Sequence, residues 1–154
     1  MMSTHEPEFP TDQPVVFPRG ALSLLARVDL TPTALRVLMM LIDHHDPETG
    51  VAKLSQNELV AAGAGAKQQV NTAIRALREA NLVTEAGYGS YTLHPLLTDG
   101  ATPSPVTEVP VISALDPQRF SEVRRHRYAK QGQAILLARR LNRQRLRAAV
   151  PHNA

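Results

Sequence analysis

Side chains that can hydrogen-bond to the edges of nucleic-acid bases recur along residues 67–78. Val70, Ile74 and Leu77 are spaced four and three residues apart, so they share one face of a helix. The opposite face carries amide, hydroxyl and cationic groups. Glutamine and asparagine can pair with adenine and arginine with guanine, which is what reading the DNA major groove requires. A solvated surface helix would also be polar there, so the helix alone leaves both interpretations open. The candidate DNA-binding residues are Lys67, Gln68, Gln69, Asn71, Thr72 and Arg75, with Arg78 closer to the phosphates.

The flanking segments predict the elements that position this helix. Ser55 and Glu58 have the spacing of a capping box and begin a preceding helix, which the glycines at 63 and 65 end. Further upstream, Thr31-Pro32 is a helix start, residues 21–26 suggest another short helix, and residues 51–54 a short strand. Downstream, residues 82–86 and 90–93 are strand-like around a glycine turn. The fold class predicted is mainly α with a small β-hairpin, a winged helix-turn-helix. The wing-tip residues expected at the DNA are Tyr88, Gly89 and Ser90.

The helix that begins at Thr31 is apolar on two sides. Leu35, Leu38, Met39 and Ile42 form one face, and Val37 with Leu41 forms a second. One face can cover the helix-turn-helix, whereas the other needs either the 21–26 helix or a second copy of the chain. The 21–26 helix and a second copy of the chain can both contribute to covering this face. The sequence therefore predicts a homodimer.

Residues 19–98 resemble a bacterial winged helix of the broad MarR-like kind, and more narrowly the RepL-type plasmid replication initiators. The resemblance implies sequence-specific binding of double-stranded DNA, as a replication initiator or transcriptional regulator of a plasmid or mobile element. Such proteins usually have an aliphatic residue and a serine or threonine after one turn glycine, whereas this chain has Ala64, Gly65 and Ala66. The missing hydroxyl predicts one fewer phosphate contact at the helix start. The matching segments are Leu30–Pro32, Asp46–Gly50, Leu54–Leu59, Val70–Leu77, Ala80–Val83 and Tyr91–Pro95.

Length and composition limit the remaining possibilities. The 154 residues suffice for one domain, at 19–98, with tails. Residues 1–18 contain four prolines and the acidic Glu6, Glu8 and Asp12, which predicts a disordered arm rather than a signal peptide or membrane anchor. Residues 99–115 are proline-rich and predict a linker that extends rather than packs. Cysteine is absent, so disulfides cannot form. The longest apolar run, residues 37–42, is far shorter than the ~20 residues that a membrane span needs. The sequence therefore predicts a soluble, cytoplasmic protein.

Positive charge is concentrated at the carboxyl end. Residues 117–154 hold ten basic groups and one acidic group, although the whole chain carries only +3. Asp116-Pro117 begins a predicted basic helical extension over 116–150, which Gly132 is expected to divide. An apolar stripe faces away from clustered arginines and consists of Ala134, Ala138, Leu141 and Ala149, with Ile135 beside it. The extension could therefore dimerise or dock, follow phosphates, or lie on a membrane, the last being the weakest. The residues expected to contact phosphate are Arg124, Arg125, Arg127, Lys130, Arg139, Arg140, Arg143 and Arg147.

Catalysis has no candidate residues in this sequence. His44-His45-Asp46 is the only cluster of metal-ligand types, and adjacent side chains at a helix end point in different directions, which favours an ordinary loop. His94, next to Pro95, is expected to pack at the end of the wing. We therefore expect a non-enzymatic protein without cofactor or metal. The alternative is an interaction module that binds protein or RNA through the basic extension.

Overall fold

The computed structural model describes residues 14–103, 109–113 and 122–149. Most of the predicted disordered arm, residues 1–13, lies outside these ranges. Five helices and three strands occur in the described part. They are α1 (Arg19–Arg27), α2 (Pro32–His44), β1 (Val51–Lys53), α3 (Gln56–Ala61), α4 (Lys67–Glu79), β2 (Val83–Glu85), β3 (Ser90–Leu93) and α5 (Glu122–Ala149).

The helix starts follow the capping signals in the sequence. The Thr31 hydroxyl accepts a hydrogen bond from the Ala34 amide at 3.1 Å, and Pro32 is the first residue of α2. Ser55 and Glu58 form the expected capping box, since each side chain accepts a bond from the other residue's amide at 3.1–3.2 Å. These bonds satisfy amides that have no partner inside the helix. The predictions for the starts of α2 and α3 are therefore confirmed.

The core forms where α2 packs against α4, with α3 beside α4. Val70, Ile74 and Leu77 of α4 are fully buried, which confirms the predicted apolar face. Val37 and Leu41, the second face of α2, are buried in the same core as Ala21 and Leu24 of α1. A single chain therefore covers both faces of α2. Met39 differs from the prediction, because it is half exposed rather than part of the first apolar face.

The small sheet has three antiparallel strands in the order β1-β3-β2. Thr92 of β3 pairs with Val51 on one side and with Thr84 on the other. The predicted hairpin is thus joined by the short strand at 51–53, which anchors the hairpin to the end of α2. Gly87 and Gly89 have φ angles of 118° and 69°, values that favour glycine and allow the tight turn between β2 and β3.

The proline-rich segment after residue 99 packs where it is described, contrary to the prediction of an extended linker. Val109 and Ile112 are buried. Ser113 donates to two carbonyl oxygens at the end of α4, from its amide to Ala80 at 3.0 Å and from its hydroxyl to Glu79 at 2.6 Å. The last carbonyls of a helix lack internal partners, so an extended segment can satisfy them. We call residues 109–113 the strap.

Residues 122–149 of the basic extension form one continuous helix, and the predicted division at Gly132 does not occur. Gly132 is buried, and a Cβ atom there would lie 3.0 Å from Val109 Cγ1 and 3.8 Å from His94 Cε1. The glycine thus lets α5 approach the strap closely. This close packing offsets the cost of about 1 kcal/mol that glycine has in a helix interior.

The face of α5 that contacts the core is not the one expected from the alanine–leucine pattern. Leu136 is buried, and Ile135 packs against the core. Ala134, Ala138 and Leu141 of the predicted packing stripe are exposed instead. Gly132 and Arg139 lie on the same side of α5 as Ile135 and Leu136. Their contacts with the strap and with the Asp99 and Pro47 carbonyl oxygens turn that side toward the rest of the protein.

No helix within the described ranges is long and apolar enough to span a membrane.

Candidate nucleic-acid interface

The outward face of α4 presents a continuous row of polar side chains. Lys67, Gln68, Asn71, Thr72 and Arg75 are all exposed. The Thr72 hydroxyl donates to the Gln68 carbonyl oxygen at 3.0 Å, which fixes its rotamer along the helix. The buried Val70, Ile74 and Leu77 hold the opposite side of the helix in the core. The structure therefore brings the five main candidate residues together on one accessible surface.

The start of α4 lacks a side-chain cap. Ala66 occupies the cap position and cannot accept a hydrogen bond from the helix. Gln69 partly compensates, since its Oε1 accepts a bond from the Ala66 amide at 3.2 Å. The amide oxygen of Gln69 therefore holds the helix start. This contact separates Gln69 from the other candidates, although its side chain is exposed.

Arg78 lies at the far end of the same helix and is paired within the protein. Its Nη1 is 3.3 Å from Glu85 Oε1 of β2, and both side chains are largely exposed. An exposed ion pair of this kind contributes about 0–1 kcal/mol. Contact between Arg78 and a phosphate would require the guanidinium to leave Glu85, an exchange that this small energy permits.

The turn between β2 and β3 projects Tyr88 into solvent, where its side chain is fully exposed. Gly89 and Ser90 are half-buried. Gly89 lies against the start of α3, because a Cβ on it would be 3.5 Å from Ser55 Cβ. Of the three predicted wing-tip residues, the structure thus leaves Tyr88 the most accessible.

Two of the arginines predicted to contact phosphate bind the loop after α2 and Asp99 within the protein. Arg139 donates to the carbonyl oxygens of Asp99, at 3.2 Å, and of Pro47. Arg143 donates to the Glu48 carbonyl oxygen at 2.9 Å and lies 3.3 Å from the Glu48 carboxylate. The guanidinium groups thus satisfy the Pro47 and Glu48 carbonyl oxygens of this turn. In the structure Arg139 and Arg143 therefore bind the 46–50 turn and Asp99, and their contact with phosphate stays a prediction.

The remaining cations of α5 differ in their surroundings. Arg127 and Lys130 are exposed, as the prediction requires, and Arg140 is half-buried with a partner. Arg145, which the sequence prediction did not include, is also exposed. The side chains of Arg124, Arg125 and Arg147 lie outside the described part of the chain.

The histidines at the end of α2 contact carbonyl oxygens near the end of that helix. His44 Nδ1 lies 2.9 Å from the Met40 oxygen, and His45 Nδ1 contacts the Ile42 oxygen. These contacts account for the pair as helix-end residues, in agreement with the loop interpretation. No group of three potential metal ligands occurs in the described ranges.

His94 connects the end of β3 to the strap, so it packs at the end of the hairpin as predicted. Its side chain is 3% exposed. Nε2 donates to the Pro110 oxygen at 2.8 Å, and Nδ1 accepts from the Leu96 amide at 3.1 Å. This pattern requires a neutral ring. Burial lowers the pKa of His94 below 6.5, against the smaller opposing effect of the bond to Pro110.

This lowered pKa predicts a loss of stability in mild acid. Below pH 6.5 the unfolded chain takes up a proton at His94 before the folded protein does, so the free energy of unfolding falls as the pH decreases. The fall attributable to His94 is at most about 1.4 kcal/mol per pH unit. We expect His94→Gln, which does not titrate, to reduce the difference in unfolding free energy between about pH 7.5 and about pH 5.5. Chemical denaturation at the two pH values measures this difference in unfolding free energy. A difference that is unchanged by His94→Gln would contradict the role of His94 in the pH dependence.

Comparison of the chain with protein-family models, with curated proteins and with solved structures finds no match.

Proposed function

We propose that the protein is a winged-helix protein that binds double-stranded DNA in a sequence-specific manner, with α4 as the recognition helix. The observation that carries the proposal is the row of exposed side chains from Lys67 to Arg75 on a helix whose other side is buried in the core. An α-helix fits the major groove, and these side chains include the amide and guanidinium groups that distinguish base pairs there.

The position of the wing agrees with this proposal. In a winged helix the hairpin follows the recognition helix and reaches the backbone or the minor groove beside it. Here β2 begins four residues after α4 ends, and Tyr88 at the turn is fully exposed. The resemblance to MarR-like and RepL-type proteins suggests a replication initiator or transcriptional regulator of a plasmid or mobile element. The same fold serves both roles.

A second candidate function is a protein- or RNA-interaction module. Residues 19–99 carry seven basic and eight acidic groups, a net charge of −1, whereas most DNA-binding domains are more basic. In this case the cations of α5 bind the partner, and the polar face of α4 contacts water rather than a ligand. The two functions differ in whether α4 contacts the nucleic acid.

Backbone amide chemical shifts measured during titration with a duplex oligonucleotide of mixed sequence test this difference. We expect the largest changes at residues 67–75 and at Tyr88, because bound DNA would cover them. A single-stranded RNA of equal length is the matched control. Changes confined to α5, or equal changes with the RNA, would favour the interaction module.

We also propose a homodimer in solution, which would place two α4 helices on two half-sites. Its support is the exposure of Leu22 on α1 and Met39 on α2, at 57% and 49%. Light scattering at micromolar concentration should give twice the chain mass, and Leu22→Ser with Met39→Ser should yield monomers. A monomer mass both with and without DNA would contradict the homodimer and the binding of two half-sites.

A further inference from the structure

The side of α5 that faces away from the core carries an exposed apolar stripe. Leu137 and Leu141 are 59% and 48% exposed, and Ala134 and Ala138 are also exposed. These four residues are spaced three, one and three positions apart, so they cover about 100° of the helix circumference. We call them the outer stripe.

Cations stand at both ends of the outer stripe and on the same side of the helix. Arg127 and Lys130 precede it, Arg145 follows it, and all three are exposed. At 100° per residue each of them lies within about 40° of Ala134. Residues 123–149 contain no acidic group. A second copy of α5 on this stripe would therefore set cations against cations, whereas an apolar segment flanked by carboxylates would complement it.

The amino-terminal arm of the same chain has that composition. Residues 1–13 contain Glu6, Glu8 and Asp12 without lysine or arginine, and Phe9 lies among these acidic residues. The described chain begins at Pro14, which lines a cavity together with Arg139 of α5. The arm is thus attached beside α5.

The chain between Pro14 and the outer stripe is long enough to reach it. Arg139 lies on the docked side of α5, nearly opposite Leu141 at 100° per residue. Half the circumference of a helix with its side chains is roughly 16–19 Å. The five residue steps from Pro14 to Phe9 span up to roughly 17 Å when extended, and prolines at 7, 10 and 14 favour extended backbone.

We propose that the acidic arm binds the outer stripe of its own chain, with Phe9 on Leu137 and Leu141 and its carboxylates near the flanking cations. The arm then occupies the exposed cations of α5 that a DNA backbone would use. This consequence rests on the proposed function: the arm competes with DNA for α5 and weakens binding that does not depend on sequence.

Phe9→Trp provides a direct readout, since the chain has no other tryptophan. We expect its fluorescence to be blue-shifted in the full chain, because the indole leaves water on Leu137 and Leu141. Adding Leu137→Ser and Leu141→Ser should restore the emission of a solvated tryptophan. Val111→Ser, at an equally exposed apolar side chain of the strap, should leave the shift unchanged.

Emission typical of solvated tryptophan in the full chain, unaffected by the two serines, would overturn the proposal. So would conversion of a dimer to a monomer by the same two serines, since the stripe would then belong to a second copy. Neither result depends on DNA. If the blue shift is present and the protein binds no DNA, arm docking stands and the proposed function fails.

The competition with DNA has a separate test. Neutralising the arm with Glu6→Gln, Glu8→Gln and Asp12→Asn should raise the affinity for an unrelated duplex about threefold to tenfold at low salt, the scale of a few exposed ion pairs. Fluorescence anisotropy of a labelled duplex measures this affinity. An unchanged affinity would overturn the competition.

Discussion

Replacing Arg75 with alanine should weaken binding to the preferred DNA sequence by about 1–3 kcal/mol and binding to unrelated DNA much less. Arg75 is exposed on the same face of α4 as Asn71 and Thr72, while its neighbours Ile74 and Leu77 are buried. Its guanidinium has a planar arrangement of donors that can bond guanine O6 and N7 together. Fluorescence anisotropy with the two duplexes at equal salt measures both losses.

Arg75→Lys is the matched control for this experiment. Lysine keeps the charge but lacks the planar pair of donors, so binding to unrelated DNA should be preserved while discrimination is reduced. Because Arg75 is exposed, neither substitution should change the unfolding free energy by more than about 0.5 kcal/mol. Equal losses of affinity on both duplexes would show that Arg75 contacts phosphate rather than a base.

Neutralising the exposed cations of α5 should reduce the salt dependence of DNA binding. Arg127→Gln, Lys130→Gln and Arg145→Gln together remove up to three phosphate contacts, and each contact contributes roughly 0.9 to the slope of log affinity against log salt. The slope should therefore fall by roughly 2 to 3. The preferred DNA sequence should not change, because phosphate contacts position a protein without reading bases.

Point substitutions are preferable here to deletion of α5. Gly132 and Leu136 are buried, so removing the helix would also uncover the core and the strap. Arg36, which is exposed on α2, offers a control for net charge through Arg36→Gln, with little expected change in slope. A triple variant that keeps the full slope would mean that α5 does not contact DNA.

The local elements of the fold could be predicted because their signals lie within a few residues. The Thr31 cap, the Ser55–Glu58 box and the glycines of the β2–β3 turn each act on the backbone of their own segment. The exposed face of α4 followed in the same way from the spacing of its buried residues. These features required no knowledge of distant contacts.

The role of α5 could not be predicted, because it depends on contacts between distant residues. Arg139 bonds to carbonyl oxygens 40 and 92 residues away, and a backbone carbonyl leaves no trace in the residue pattern. Two apolar sides also compete on α5, so periodicity alone could not decide which one packs. The role of Gly132 also depends on a distant contact. The sequence does not distinguish a glycine that breaks a helix from one that permits close packing.

Selection of bound fragments from random double-stranded DNA tests the central proposal most directly. Sequence-specific binding predicts enrichment of one motif, arranged as two half-sites if the protein is a dimer. The same selection with Arg75→Ala should lose the preference at one guanine position and keep the rest of the motif. If the immobilised protein retains DNA fragments that share no motif, sequence-specific recognition by α4 would be contradicted.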